Sequence, residues 1–446
     1  MIPCEIEQFF SSQFGKSLLV KGYPGTGKTT FIFETLRELC PQGNCIYVSP
    51  RIDKSSSYGN FPWIEGDFSN NEDFLRMLAT RVKEIWETSD SKPTIVIDSI
   101  DSLSIATTHS SRWEDNKFEL ERLLSDFSRK VNADLILITE QIGINSLDYL
   151  VDGVVSLELS ELNGNSIRKI NFLKLRGVAL SQSKYPFTLD NGVFTSFEPF
   201  GVSYPKNISI PEPISDPIPS KVSTGSPDFD AVLGGGYQKG SFNLFEITSG
   251  VGDSFYSLLL PTFINHLNLG RPLLSMPTEG TSVETEKRMI SPFTGEHNFM
   301  NYFTGFEIRD QQSRLPSYVE PFSGNIYKDM DVFHKVKHET MRQFESPLLD
   351  YIGLDSMEYN YGWDNVGSVI GQMASITKTT ENVVLAVAKH GQKITESVSH
   401  MATTHWKFEN IDKSIVMYGI VPKTELFVVH MDFSTGYPQV ELVPVK

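Results

Sequence analysis

The sequence predicts an α/β protein of two tandem domains, each a mainly parallel sheet flanked by helices, with a terminal antiparallel extension. Three observations predict it. Short apolar runs alternate with amphipathic stretches whose apolar residues recur every three or four positions, the pattern of strands joined by crossover helices. A segment holding five prolines, SYPKNISIPEPISDPIPS (203–220), divides the chain. The order of elements after that segment repeats the order before it.

In the first half, SLLVKG (17–22), NCIYVSP (44–50), TIVIDSI (94–100), ADLILITE (133–140) and DGVVSLELS (152–160) read as strands. Between them, TTFIFETLREL (29–39), NEDFLRMLATRVKEIWET (71–88) and NKFELERLLSDFSRKV (116–131) read as helices. Strands flanked by helices imply right-handed crossovers and a parallel sheet. RKINFLKLRG and YPFTLDNGVFTSF then read as a terminal antiparallel pair. The prolines that follow read as an extended linker between a domain at 1–202 and one at 221–446.

The second half opens with STGSPDFDAVLGGGYQKGS. Its strands are expected at PLLSMPTEG (272–280), LLDYIGLDS (348–356), NVVLAVAKH (382–390), SIVMYGIV (414–421) and ELFVVHMD (425–432). Residues 291–330, rich in Phe, Tyr, Gly and Pro, have no clear period and read as an insertion or long loop. The halves align as a distant repeat: SLLVKGYPGTGKTT with NLFEITSGVGDSFY, TIVIDSIDSL with YIGLDSMEYN, ADLILITE with NVVLAVAK.

Composition narrows the function. Hydrophobic residues at 39% and charged residues at 21% are ordinary for globular domains, so each half can bury a core. A net charge of −16 and no Lys/Arg-rich run argue against a nucleic-acid partner. The three cysteines, Cys4, Cys40 and Cys45, suit a reducing cytoplasm rather than a disulfide framework. Neither Cys40 and Cys45 nor His400 and His405 have companions at metal-ligand spacing. No apolar run is long enough to span a membrane and MIPCEIEQFF lacks the features of a signal peptide, so the expectation is a cytoplasmic protein.

GYPGTGKT (22–29) matches G-x-x-x-x-G-K-[ST], following a strand and opening a helix. Gly22, Gly25 and Gly27 let the backbone turn tightly, so that the N–H groups of Tyr23, Pro24's neighbours, Thr26 and the residues through Thr30 converge on phosphate oxygens. The helix N-terminus adds positive potential. Lys28 supplies charge to the β- and γ-phosphates, and the Thr29 hydroxyl suits Mg²⁺. Asp98, ending the apolar strand TIVID seventy residues after Lys28, is the matching magnesium acid. ATP and Mg²⁺ are the expected ligands. Asp53, Asp101 and Glu140 are the acids near strand ends that could orient water.

GYPGTGKTT, IVIDSIDSL, the strand ending ITE, VDGV and LKLRGVALSQSKYPFTL together resemble the KaiC/RadA branch of the RecA-like P-loop ATPases. The STGSPDFDAVLGGGYQKGS opening is similar to the start of a domain in that family, and tandem RecA-like domains are the KaiC architecture. IYVSPRIDK followed by FPWIEG is similar to the archaeal gas-vesicle regulatory D group. The resemblance implies a homo-oligomeric ring, such as a hexamer, with nucleotide at the protomer boundary. It also implies that Lys174 and Arg176 of KLRG reach the neighbour's γ-phosphate. The family carries a glutamate pair after the second strand; Ser49, Pro50 and Arg51 stand there instead, which implies slow hydrolysis.

The second loop, ITSGVGDSF (247–255), reads as a decayed copy. Ile247 replaces the first glycine and Asp253 the lysine, and an acid at close range repels a triphosphate. Ser254 survives, Asp355 stands at the magnesium position, and Glu279 lies near the family's glutamate position. The expectation is an ATP-binding regulatory ATPase with one active site and a protein partner. The alternatives are a recombination ATPase on DNA, or a scaffold that binds ATP without hydrolysing it.

Overall fold

A computed structural model of the chain describes residues 1–41, 43–49, 63–64, 71–89, 91–106, 113–202, 205–309 and 315–446. Two compact units emerge: Met1–Glu198 together with Val445–Lys446, and Pro199–Pro444.

The first unit begins with α1 (Cys4–Phe10), β1 (Ser17–Lys21), α2 (Lys28–Leu39), β2 (Cys45–Val48) and β3 (Trp63–Ile64). It continues with α3 (Asn71–Thr88), β4 (Thr94–Asp98), α4 (Ile100–Ala106), α5 (Trp113–Lys130) and β5 (Asp134–Thr139). It closes with α6 (Ser146–Leu150), β6 (Gly153–Leu162), β7 (Asn165–Leu175), β8 (Lys184–Thr188) and β9 (Thr195–Ser196). The sheet order among the described residues is β3-β2-β4-β5-β1-β6-β7-β8-β9. From β3 to β6 every pairing is parallel, and from β6 to β9 every pairing is antiparallel. β1 is central, and all five of its residues are buried. Because strand side chains alternate, Leu18 and Val20 join the core beneath Phe31, Leu36 and Tyr47 of α2 and β2. Leu19 joins the opposite core with Phe74, Leu78 and Leu120. Burial on both faces is why these strands read as continuous apolar runs.

The second unit opens with β10 (Lys221–Val222), α7 (Pro227–Val232), β11 (Tyr237–Gln238), β12 (Phe242–Ile247), α8 (Ser254–Asn268) and β13 (Leu273–Met276). There follow α9 (Val283–Tyr302), β14 (Phe303–Ile308), β15 (Val319–Phe322), α10 (Ile326–Gln343) and β16 (Leu349–Gly353). Next come α11 (Leu354–Tyr361), α12 (Trp363–Thr377), β17 (Val383–Lys389) and α13 (Ile394–Ser399). The unit ends in β18 (Thr404–Ile411), β19 (Ser414–Val421), β20 (Phe427–Asp432) and β21 (Gln439–Pro444). Its large sheet runs β15-β14-β13-β16-β17-β12-β18-β19-β20-β21 among the described residues. The pairings are parallel as far as β18 and antiparallel beyond it.

The reading of 291–330 as an insertion or long loop is corrected. Its described residues hold the second half of α9, β14, β15 and the start of α10. Pro292 lies inside α9, and Gly295 (φ 74°, ψ 150°) breaks its dihedrals, so the helical period is interrupted where it would be read. β14 and β15 are short parallel strands at the sheet edge, without clean alternation.

The proline-rich segment belongs to the second unit. Ile214 exchanges two backbone hydrogen bonds with the Asn265 amide, at 2.7 and 3.0 Å, and Asp216 forms a two-pronged pair with Arg271 at 2.8 Å on each side. The STGSPDFDAVLGGG stretch is held by buried Asp230. Its carboxylate accepts from the Ser223 hydroxyl and the Thr224 N–H, both at 2.6 Å. The Ser226 side chain caps α7 by accepting from the Phe229 N–H.

Candidate functional site

The first loop leaves the carboxyl end of β1 and enters α2. A Cβ at Gly22 (φ 158°) would stand 2.7 Å from the Leu157 carbonyl oxygen, so the loop folds against β6 only because glycine is there. Gly27 caps α2 at φ 97°, a left-handed conformation, which frees the first N–H groups of the helix to face one point. Tyr23, Pro24 and Gly25 form the exposed tip. Thr26 is buried and donates from its hydroxyl to the Tyr23 carbonyl at 2.8 Å. Lys28, only 8% exposed, curls back so that its ammonium donates to the carbonyls of Gly22 (2.7 Å) and Tyr23 (2.9 Å).

Across from the loop, Asp98 Oδ2 accepts from the Thr29 hydroxyl at 3.0 Å. Tyr47, at the end of β2, donates to the same oxygen at 2.5 Å and stacks on Phe33 of α2 with centroids 5.1 Å apart. Burial, with the Asp98 charge beside it, pushes the Tyr47 phenol up, so it stays a proton donor. Thr30 lies half-buried in the first turn of α2. The fold thus gathers Gly22 through Thr30 and Asp98 around one crevice at the carboxyl ends of parallel strands, the usual place for a ligand in such a sheet.

The remaining candidates fall elsewhere. Lys174 on β7 donates to the carbonyls of Asp148 (2.8 Å) and Val151 (2.5 Å), and exposed Arg176 stands 3.7 Å from Asp152. The register explains their distance from the loop. Ser156 of β6 pairs with Lys21, the last residue before the loop, while Lys174 pairs with Val154, on the far side of that level. Within one chain, the loop therefore meets neither Lys174 nor Arg176. It meets Arg168, farther along the same hairpin, whose Nη1 donates to the Gly25 carbonyl at 2.9 Å. Burial lowers the Arg168 pKa. Asp101 accepts from the Thr139 hydroxyl (2.8 Å) and the Glu140 N–H (3.0 Å), which ties it to the end of β5. Ser49 is half-buried after β2; Asp53, Pro50 and Arg51 lie outside the described residues.

Sequence reasoning missed Tyr47 and Arg168. Tyr47 carried no signal beyond an apolar strand. Arg168 lay in plain sight six residues before Lys174, but only the β6–β7 register brings it to the loop.

Residues 6–77 match the family described as GvpD gas vesicle protein, P-loop domain, and residues 52–197 match KaiC. Protein GvpD2 of Halobacterium salinarum is 25% identical over 477 aligned residues, which cover 99% of this chain and 95% of that protein. This chain is related to GvpD over its full length, and its first unit is KaiC-like. Protein GvpD1 of the same organism is 24% identical, with 99% and 96% covered, so both units of this GvpD relative have counterparts there. A KaiC-like protein of Pyrococcus horikoshii of known crystal structure is 24% identical, with a TM-score of 0.35, over 42% of this chain and 90% of that one.

The residues of the first loop fit a magnesium nucleotide. Lys28 and the N-terminus of α2 supply positive charge, and Thr29 beside them with Asp98 from the end of β4 supplies oxygens for the cation. Among the described residues no cluster of three or more His, Cys, Asp or Glu side chains offers a separate metal centre. No described helix is long and apolar enough to cross a membrane. His405 is held by Glu246 at 3.1 Å, and Cys40 donates to Thr94 at 3.3 Å, both inside the fold.

Proposed function

We propose that this GvpD relative is an ATP-binding regulatory ATPase with one nucleotide site, in the first unit, and that ATP–Mg²⁺ controls its assembly or its affinity for a protein partner. The observation that supports it best is the 3.0 Å approach of Thr29 to Asp98 opposite the Lys28 loop. Bound there, ATP would replace the loop carbonyls as the partner of the Lys28 ammonium, and Mg²⁺ would be held through Thr29 and Asp98. The ion would neutralise charge between the β- and γ-phosphates. Tyr47 would keep Asp98 oriented, and Arg168 would hold the tip of the loop at Gly25.

Slow hydrolysis fits the residues after β2, where Ser49 stands and no glutamate occurs through Arg51. KaiC-like proteins often oligomerise, and in a ring Lys174 and Arg176 would serve a neighbouring protomer's site, as their distance from their own loop allows. The name of the matched family connects the regulated process with gas vesicles.

The test is ATP binding and turnover by wild type and Lys28→Ala across protein concentration. Lys28→Ala is expected to abolish both. A rate per chain that climbs with concentration supports completion between protomers. Unchanged ATP affinity in Lys28→Ala refutes the site.

A further inference from the structure

The second loop keeps the layout of a phosphate loop and reverses its charges. Asp253 stands just before Ser254, the first residue of α8, as Lys28 stands just before Thr29. A lysine has appeared one strand away. In the first unit Lys21, the residue before the motif, pairs with Thr139, and Glu140 follows. In the second unit Glu246 holds the place of Lys21 and pairs with Ala388, and Lys389 follows. Lysine and acid have exchanged places: Lys28 with Glu140 in one unit, Asp253 with Lys389 in the other.

Lys389 makes contacts that span the crevice. Its ammonium donates to the Glu279 carbonyl at 2.7 Å and stands 3.2 Å from Asp253 Oδ1 and 3.3 Å from Asp355 Oδ2. It also lies 5.6 Å from the centre of the Phe255 ring. Asp355 Oδ2 accepts the Glu279 N–H at 3.0 Å as well. The Asp355 side chain is 10% exposed and that of Lys389 25%, so the pair is partly shielded from water. Burial raises the Asp355 pKa and Lys389 opposes the rise. One ammonium thus joins the loop, the segment after β13 and the segment after β16. In the first unit the corresponding elements carry Lys28, Ser49 and Asp98.

We propose that Lys389 is a built-in counter-cation that closes the second phosphate loop, holding Asp253, Glu279 and Asp355 together without a ligand and excluding nucleotide phosphates. The proposal rests on reading the first unit as the nucleotide site. An incoming triphosphate would meet the Asp253 carboxylate and would have to draw Lys389 from two carboxylates at once. The second unit then holds one loop conformation whatever the nucleotide concentration, and responds to ATP only through the first.

Hydrogen exchange on the full chain tests this, following residues 248–256 and 277–281 with residues 22–30 as internal reference. In the wild type, ATP–Mg²⁺ is expected to slow exchange at 22–30 and leave the second loop unchanged. Lys389→Met is expected to speed exchange at the second loop about tenfold, the scale of losing one partly buried charge partner. Lys389→Arg, which keeps the cation, should retain most of the protection. Should Lys389→Met not fold, Asp253→Asn carries the test, with faster exchange confined to 248–256. Second-loop protection by ATP–Mg²⁺ in the wild type, or wild-type exchange in both Lys389→Met and Asp253→Asn, would overturn the proposal. Failure of the first-site reading shows separately, as absence of ATP protection at 22–30.

Discussion

Glu286 shows what a single residue contributes outside the site. It lies fully buried on α9 and accepts from the Ser275 hydroxyl at 2.7 Å. Burial pushes its carboxyl from 4.5 up to about 8, so the folded unit keeps a proton that the unfolded chain releases. Its stabilising contribution is therefore full below about pH 4.5 and is lost as pH rises through about 8. Glu286→Gln keeps the shape and removes the titration. The melting temperature of the second unit should fall less between about pH 5 and about pH 8.5 in the variant than in the wild type. Parallel pH profiles would contradict this. At the same scale, the meeting of Thr29 and Asp98 was legible in the sequence, because each follows or closes an apolar strand, the loop after β1 and the acid at the end of β4. Tyr47, Arg168 and Lys389 were not. Each acts through a neighbour from another element, and no periodicity in their own segments records it.

Elements were legible where one period dominated. The helix read over 71–88 matches Asn71–Thr88. The apolar runs became the central strands because both faces of the sheet are covered. The kinked α9 and the edge strands β14 and β15 were not legible: Pro292 and Gly295 break one period, and short edge strands never establish another. The STGSPDFDAVLGGG stretch was read through resemblance, and the fold supplies its physical reason in the Asp230 carboxylate, which satisfies two buried donors in a tight entry to β12. Asp230→Ala strands both donors and should lower the stability of the second unit by about 2–3 kcal/mol in chemical denaturation. A loss below about 0.5 kcal/mol, the range of ordinary surface substitutions, would show that the stretch is not held this way.

At the scale of the whole chain, two units share one sheet plan and differ in what stabilises the crevice at the carboxyl ends of their strands. The first presents a loop bearing Lys28 and Thr29 opposite Asp98; the second fills the same place with its own ion pairs. The duplication was legible from the order of elements, and so was the loss of the second lysine. Its replacement from the neighbouring strand was not, because only strand register aligns Lys389 with Glu140. The stoichiometry of ATP–Mg²⁺ binding to the full chain, by calorimetry, tests this asymmetry. One nucleotide per chain in the wild type and none in Lys28→Ala is the predicted result; two per chain, or one that survives Lys28→Ala, would contradict it.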